Sequence, residues 1–138
     1  MNLGTLPVRH ARCRPDHLAV VFDNQRLSWD QFNRRVNRLA NAMRALGVSI
    51  GDKVATILPN CLPLLETYWA VAKIGAAVVP LSPLTRGKGL ITMLNDSDAA
   101  CVLTDAAFVE HLNPVRNDLR IPDGRYLITD GQIGRAHV

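Results

Sequence analysis

The stretch Thr85-Arg86-Gly87-Lys88-Gly89-Leu90 holds the residues best suited to a phosphate, a lysine between two glycines. Glycines let backbone N–H groups approach an anion closely, and a lysine supplies a point charge. A P-loop needs GxxxxGK[ST], so that N–H groups, lysine and hydroxyl converge on one phosphate. Here glycine follows Lys88, and Ser82 stands where the upstream glycine is required. The GxGxxG dinucleotide fingerprint does not occur. The stretch reads as a flexible loop that opens a helix.

Cys61 follows a strand pattern and could be a nucleophile, but no histidine is placed by sequence to activate it. It reads as a small buried thiol at a helix start. Asp96 and Asp98 could pair as acid and base, yet Asn95-Asp96-Ser97-Asp98-Ala99 follows a helical pattern and reads as a polar turn. Cys13, Cys61 and Cys101 are odd in number and have no CxxC spacing, which argues against a disulfide framework and a zinc site. His10, His17, His111 and His137 are scattered, with no metal-binding pair. Net charge is +4, and Arg34, Arg35, Arg38 and Arg44 cluster on one helical pattern. They fall largely off its apolar stripe and read as a solvated face. Only 5% of the chain is aromatic, so base-stacking partners are scarce and no nucleic-acid partner is expected. No residue is assigned a catalytic, cofactor-binding or metal-ligating role.

The elements that would position these residues are legible. Of the 138 residues, 48% are hydrophobic and 20% charged, a globular composition for a single domain. No apolar run approaches the roughly 18 residues that suggest a membrane span, and Met1 to Pro15 lacks a signal-peptide apolar region. A cytoplasmic protein is expected. After a first helix, Leu18–Phe22 and Gln25–Ser28 read as a hairpin turned at Asp23-Asn24. Ser28, with Gln31 three residues on, has capping-box spacing. Phe32, Val36, Leu39, Ala40, Met43 and Leu46 then form one helical stripe that ends at Gly47. Asp52–Pro59, Ala76–Leu81, Ala99–Asp105 and Gly124–Thr129 read as short apolar strands. Helices alternate with them, one from Leu62 to Lys73 with Leu65, Tyr68, Trp69 and Ala72 available for packing. This alternation predicts an α/β fold, a mostly parallel βαβ sheet with an N-terminal β-hairpin. If the sheet lacks further strands, it has an unpaired apolar edge, an aggregation liability.

Several motifs lie in register with a known family. Leu27-Ser28-Trp29 leading into a helix, "GVSIGDKVATILPN" (Gly47–Asn60), "AVAKIGAAVVPLSP" (Ala70–Pro83) and "LNDSDAACVLTD" (Leu94–Asp105) resemble the N-terminal region of the adenylate-forming, AMP-binding enzymes. Acyl-CoA synthetases, luciferases and peptide-synthetase adenylation domains belong to that family. The resemblance covers residues 3–130 and implies a partial, N-terminal domain of an AMP-dependent synthetase/ligase. It further implies a full-length enzyme that uses ATP, Mg and CoA to turn a carboxylic acid into an acyl-adenylate and then a thioester. "VVPLSPLTRGKGL" is closer to fatty-acyl ligases than to peptide-synthetase domains, which implies a fatty acid substrate. In the family the phosphate loop, the adenine motif and the catalytic lysine lie further along, so the matched segments are scaffold and the piece alone is expected to be inactive. The alternative is a non-catalytic α/β binding or interaction module that retains only this lobe.

The last residues, "GQIGRAHV", carry no apolar period, no cap and no partner element. Ile133–Val138 is also the translation of a common sequencing-library adapter, ATCGGAAGAGCACACGTC, whose next triplet is a stop. Residues 132–138 are therefore expected to be an adapter-derived tail, with no function for Arg135 or His137.

Overall fold

The computed structural model describes residues 2–129, together with the backbone of 136 and 137. Helix α1 (Thr5–Cys13) precedes a hairpin of β1 (Leu18–Phe22) and β2 (Gln25–Ser28). Asp23 makes the turn at φ 50°, a left-handed conformation that its short polar side chain tolerates. The capping box forms at the start of α2 (Trp29–Ala45). Gln31 N–H donates to Ser28 Oγ at 3.3 Å, and Ser28 N–H donates to Gln31 Oε1 at 2.9 Å. At its end, Gly47 N–H donates to Arg44 O and Val48 N–H to Met43 O. This double closure needs a left-handed residue, and Gly47 supplies it at φ 86°.

Then come β3 (Lys53–Ile57), α3 (Leu62–Ile74), β4 (Ala77–Leu81), α4 (Gly87–Asp96), β5 (Cys101–Asp105), α5 (Val109–Leu112) and β6 (Tyr126–Thr129). Short 3-10 turns flank α5. Strands β4, β3, β5 and β6 lie side by side in that order, all parallel, as the alternating pattern predicts. β7 (Ala136–His137) pairs antiparallel with β6. The sequence pattern assigns the tail no partner element, yet the backbone of these two residues has one. The rest of 132–138 lies outside the described residues.

Alternate residues of the central strands serve opposite faces. Val54, Leu58, Cys101, Leu103 and Leu127 share a core with Phe32, Val36 and Met43 of α2 and Val71 and Ile74 of α3. Ala55, Ile57, Val102 and Tyr126 share a second core with Leu90 and Leu94 of α4 and Leu112 of α5. Right-handed crossovers dictate this division. The step from β3 to β4 runs one way along the sheet, while the steps from β4 to β5 and β5 to β6 run the other way, so their helices land on opposite faces.

Two expectations are corrected in α3 and α2. The buried face of α3 is Leu62, Glu66, Thr67, Ala70, Val71 and Ile74; Trp69 packs against the core as expected, whereas Leu65 and Tyr68 are exposed. The helix is apolar over most of its circumference, so periodicity alone cannot set its phase. Glu66 sets it. This carboxylate is 5% exposed and accepts a hydrogen bond from Arg35 Nε. Arg35 consequently leaves the solvated face and retains only 13% side-chain exposure, unlike Arg34 at 74%. At the sheet margin, β4 carries Pro80, whose missing N–H suits an edge position. Ile50 and Leu84 nearby stand 82% and 84% exposed.

Burial pushes the Glu66 carboxyl above its ordinary value of 4.5, outweighing the opposing pull of Arg35. The fold therefore binds this proton more tightly than the unfolded chain does. Ionising Glu66 costs stability as pH rises from the unfolded value through the raised folded one. Glu66→Gln cannot ionise, so its stability relative to the parent chain is expected to increase as pH rises above the ordinary carboxyl value of 4.5. Urea denaturation followed by Trp29 and Trp69 fluorescence checks this, and a pH-independent difference contradicts it. Glu66→Ala strands the guanidinium and is expected to cost about 3 kcal/mol.

Candidate functional site

Chain connections decide where a parallel sheet can hold a ligand. From β3 the chain crosses to β4 through α3 on one face, and from β5 it crosses to β6 through α5 on the other. β3 and β5 are direct neighbours. Between their C-terminal ends lies a crevice that neither connection fills, the topological switch point of the sheet. A cleft of about 160 Å³ occurs there, walled by Leu58 and Cys61 after β3, Asp105 ending β5, Thr129 ending β6, and Phe22 and Gln25 of the hairpin.

Local structure fixes each wall. Thr104 Oγ1 donates to Ile57 O at 2.8 Å and ties the end of β5 to β3. Asp105 Oδ1 accepts from Phe108 N–H at 2.9 Å, capping the turn Ala106–Phe108. Thr129 Oγ1 is buried and has no hydrogen-bond partner among the described residues. Cys61 immediately precedes α3, and its side chain makes no cap. Burial first of all pushes its thiol up, opposed by the Leu64 backbone and reinforced by the charges of Asp105 and Glu66. A thiol raised this way stays protonated at neutral pH and is a poor nucleophile. One carboxylate occupied as a cap, one protonated thiol and one hydroxyl make a binding wall, not an acid–base pair.

The residues singled out from the sequence lie elsewhere. Gly87, Lys88 and Gly89 form the exposed first turn of α4. Arg86 folds back instead of pointing outward, donating to Pro83 O and Thr85 O and resting over the Phe108 ring at 4.9 Å. Asp96 ends α4, and Asp98 turns the chain at φ 52° while pairing with Lys53 at 3.7 Å. His10 packs on Trp29 and His111 on Phe108. Cys101 is buried in the core, its thiol pushed up to about 11 by that burial. Among the described residues, no three His, Cys, Asp or Glu side chains are grouped to hold a metal ion. Sequence inspection takes the strand ends one at a time. What brings Cys61, Asp105 and Thr129 together is strand order, which residue spacing does not encode.

The model of the AMP-binding enzyme family matches residues 8–135. A feruloyl-CoA synthase from Amycolatopsis sp is 36% identical over 133 residues, 95% of this chain and 27% of that protein. A dimodular nonribosomal peptide synthase from Bacillus subtilis (strain 168) is 39% identical over 109 residues, 79% of this chain and 5% of that protein. Among solved structures, the Mycobacterium tuberculosis fatty acyl CoA synthetase superposes with a TM-score of 0.83 at 26% identity, over 94% of this chain and 27% of that one. The chain thus spans about a quarter or less of the length of these relatives. With the family match running through nearly all of its elements and the parallel sheet superposing on a ligase of that kind, this chain belongs to the adenylate-forming, AMP-binding enzymes and has the fold of their N-terminal part.

Proposed function

We propose that this chain is the N-terminal portion of an ATP-dependent acid–thiol ligase and is inactive alone. The full-length enzyme would join a carboxylic acid to ATP as an acyl-adenylate, with Mg, and pass the acyl group to CoA. The observation that carries this reading is the 36% identity to a feruloyl-CoA synthase across 95% of the chain. A fatty acid is the proposed substrate, on the strength of the Val78–Leu90 segment. The cytoplasm is the proposed compartment; among the described residues no helix is long and apolar enough to cross a membrane.

The switch-point crevice does not fit a nucleoside triphosphate by itself. Its volume of about 160 Å³ falls below the roughly 300–1,000 Å³ of small-molecule sites, and among the described residues its one charged wall residue, Asp105, is an anion. Phosphate charge there would meet repulsion. The chain's part in the reaction is therefore to supply a rigid wall at the sheet end. Residues 132–138 are proposed to be adapter-derived and to take no part in the reaction.

Carboxylate-dependent ATP–pyrophosphate exchange tests the reading. The chain alone is expected to show none. Residues 3–130 grafted in place of the matching segment of the Amycolatopsis feruloyl-CoA synthase are expected to retain ferulate-dependent exchange within about tenfold. Exchange by the isolated chain overturns the claim of inactivity. A folded graft without exchange favours the non-catalytic interaction module instead. The thiols give an independent check with iodoacetamide: Cys13 is expected to react first, Cys61 more slowly, and Cys101 only on unfolding. Cys61 reacting ahead of Cys13 would mark it as an activated nucleophile.

A further inference from the structure

A larger concavity lies at the other end of α3. Cys61 precedes the first residue of that helix and Lys73 stands in its last turn, so the crevice and this second cleft are about 18 Å apart along the axis. The cleft has a volume of about 830 Å³ and lies between α1, α2 and α3. α2 turns Asn37, Ala40, Asn41 and Arg44 toward it, at helical steps of three, one and three. α1 supplies Thr5, Arg9 and Arg12 from one of its own faces, and Lys73 closes the third side. Val8, Ala40 and Ile74 add an apolar floor.

Four cations therefore face one cleft, and among the described residues no carboxylate lines it. Among the described residues, Arg9, Arg12, Arg44 and Lys73 have no ion-pair partner. The sole acid on α1 and α2, Asp30, is held by Arg34 at 2.8 Å. Lys73 is also held in place, its Nζ donating to Asn33 Oδ1 and Asn37 Oδ1. Both acceptors are neutral and leave its charge uncompensated. α1 cannot swing away to relieve the repulsion without losing a close contact. A Cβ on Gly4, at its start, would lie 2.5 Å from Lys73 Cα and 2.8 Å from the Ala72 carbonyl carbon.

Helix dipoles explain part of this arrangement but not all of it. Arg12, Arg44 and Lys73 sit in the last turns of α1, α2 and α3, where each helix presents about half a negative charge. Three such ends offset about −1.5 against +4, and Arg9 stands outside the last turn. More than two positive charges remain, in a concavity sized for a small molecule. Among the described residues no aromatic side chain lines it for base stacking, which disfavours single-stranded nucleic acid. Guanidinium forks, amide donors and an ammonium group are the donor set that suits phosphate oxygens.

We propose that this cleft binds a small organic molecule carrying two or more phosphate groups. The proposal stands apart from the ligase reading, since it uses none of the switch-point residues. Isothermal titration of the 138-residue chain with inorganic tripolyphosphate tests it, at near-physiological salt. Arg12→Gln with Arg44→Gln is expected to weaken binding about tenfold or more. Arg34→Gln with Arg38→Gln removes the same charge from the outward face of α2 and is expected to leave binding within about twofold. All four arginines are exposed, so the fold should survive, and far-UV circular dichroism of each variant verifies that. Equal weakening by the two pairs, equal affinity for citrate, tighter binding of a single-stranded oligonucleotide, or no heat with the parent chain would each overturn the proposal.

Discussion

Everything in this chain depends on β3 being buried on both faces. Val54, Ala55 and Ile57 have no exposed surface, and Thr56 is 1% exposed. A strand in that position must be covered by helices on two sides. The right-handed crossover rule then assigns α3 to one face and α4 and α5 to the other. The crevice at the C-terminal ends of β3 and β5 follows from the same rule, because the two outgoing connections depart in opposite directions. The site is thus a by-product of how the sheet is covered. Its wall residues need no special local motif, and none is present at Leu58 or Thr129.

Covering the sheet does not by itself decide which way α3 faces. Burying each Val or Ile side chain is worth roughly 1.5–3 kcal/mol, and α3 is apolar enough to collect that on several faces. The Arg35–Glu66 pair discriminates between them. A buried ion pair roughly breaks even against an apolar replacement, while losing one partner is expensive. Its contribution is therefore to exclude other rotations of α3 more than to add stability. The raised Glu66 carboxyl agrees with that view: burial costs this group more than Arg35 returns. Arg35 Nη2, buried without a partner among the described residues, adds to the cost.

The same distinction explains what the sequence reveals and what it hides. Local chemistry is readable, as Ser28 with Gln31, Gly47 after the stripe and Asp23 in the hairpin illustrate. Each acts within a few residues of itself, so spacing carries the whole signal. The parallel α/β class is readable for a related reason, since strand and helix patterns alternate along the chain. The face of α3 is not, because its phase depends on a partner 31 residues away. A lone charged residue in the run from Leu62 to Ala72, Glu66, is the available clue. The crevice is hidden more deeply still, for no spacing places Asp105 beside Cys61 until the strand order β4-β3-β5-β6 is known.

Helix α3 links these levels. Its first residues adjoin Cys61 and the crevice, its middle carries Glu66, and its last turn carries Lys73 beside the basic cleft. Sliding the helix by one residue would rotate every side chain by about 100°. Glu66 would leave Arg35, Ile74 would leave the core, and Lys73 would leave the two asparagines of α2 that hold it. The two ends also differ in charge. Asp105 stands near the end of α3 where N–H groups are free, and Lys73 near the end where carbonyls are free, so each suits the local dipole. Beyond those single charges, the crevice gains no further charge among the described residues, whereas the cleft gains three arginines. One buried pair midway along the helix therefore holds a small acidic crevice at one end and a large basic cleft at the other in fixed relation.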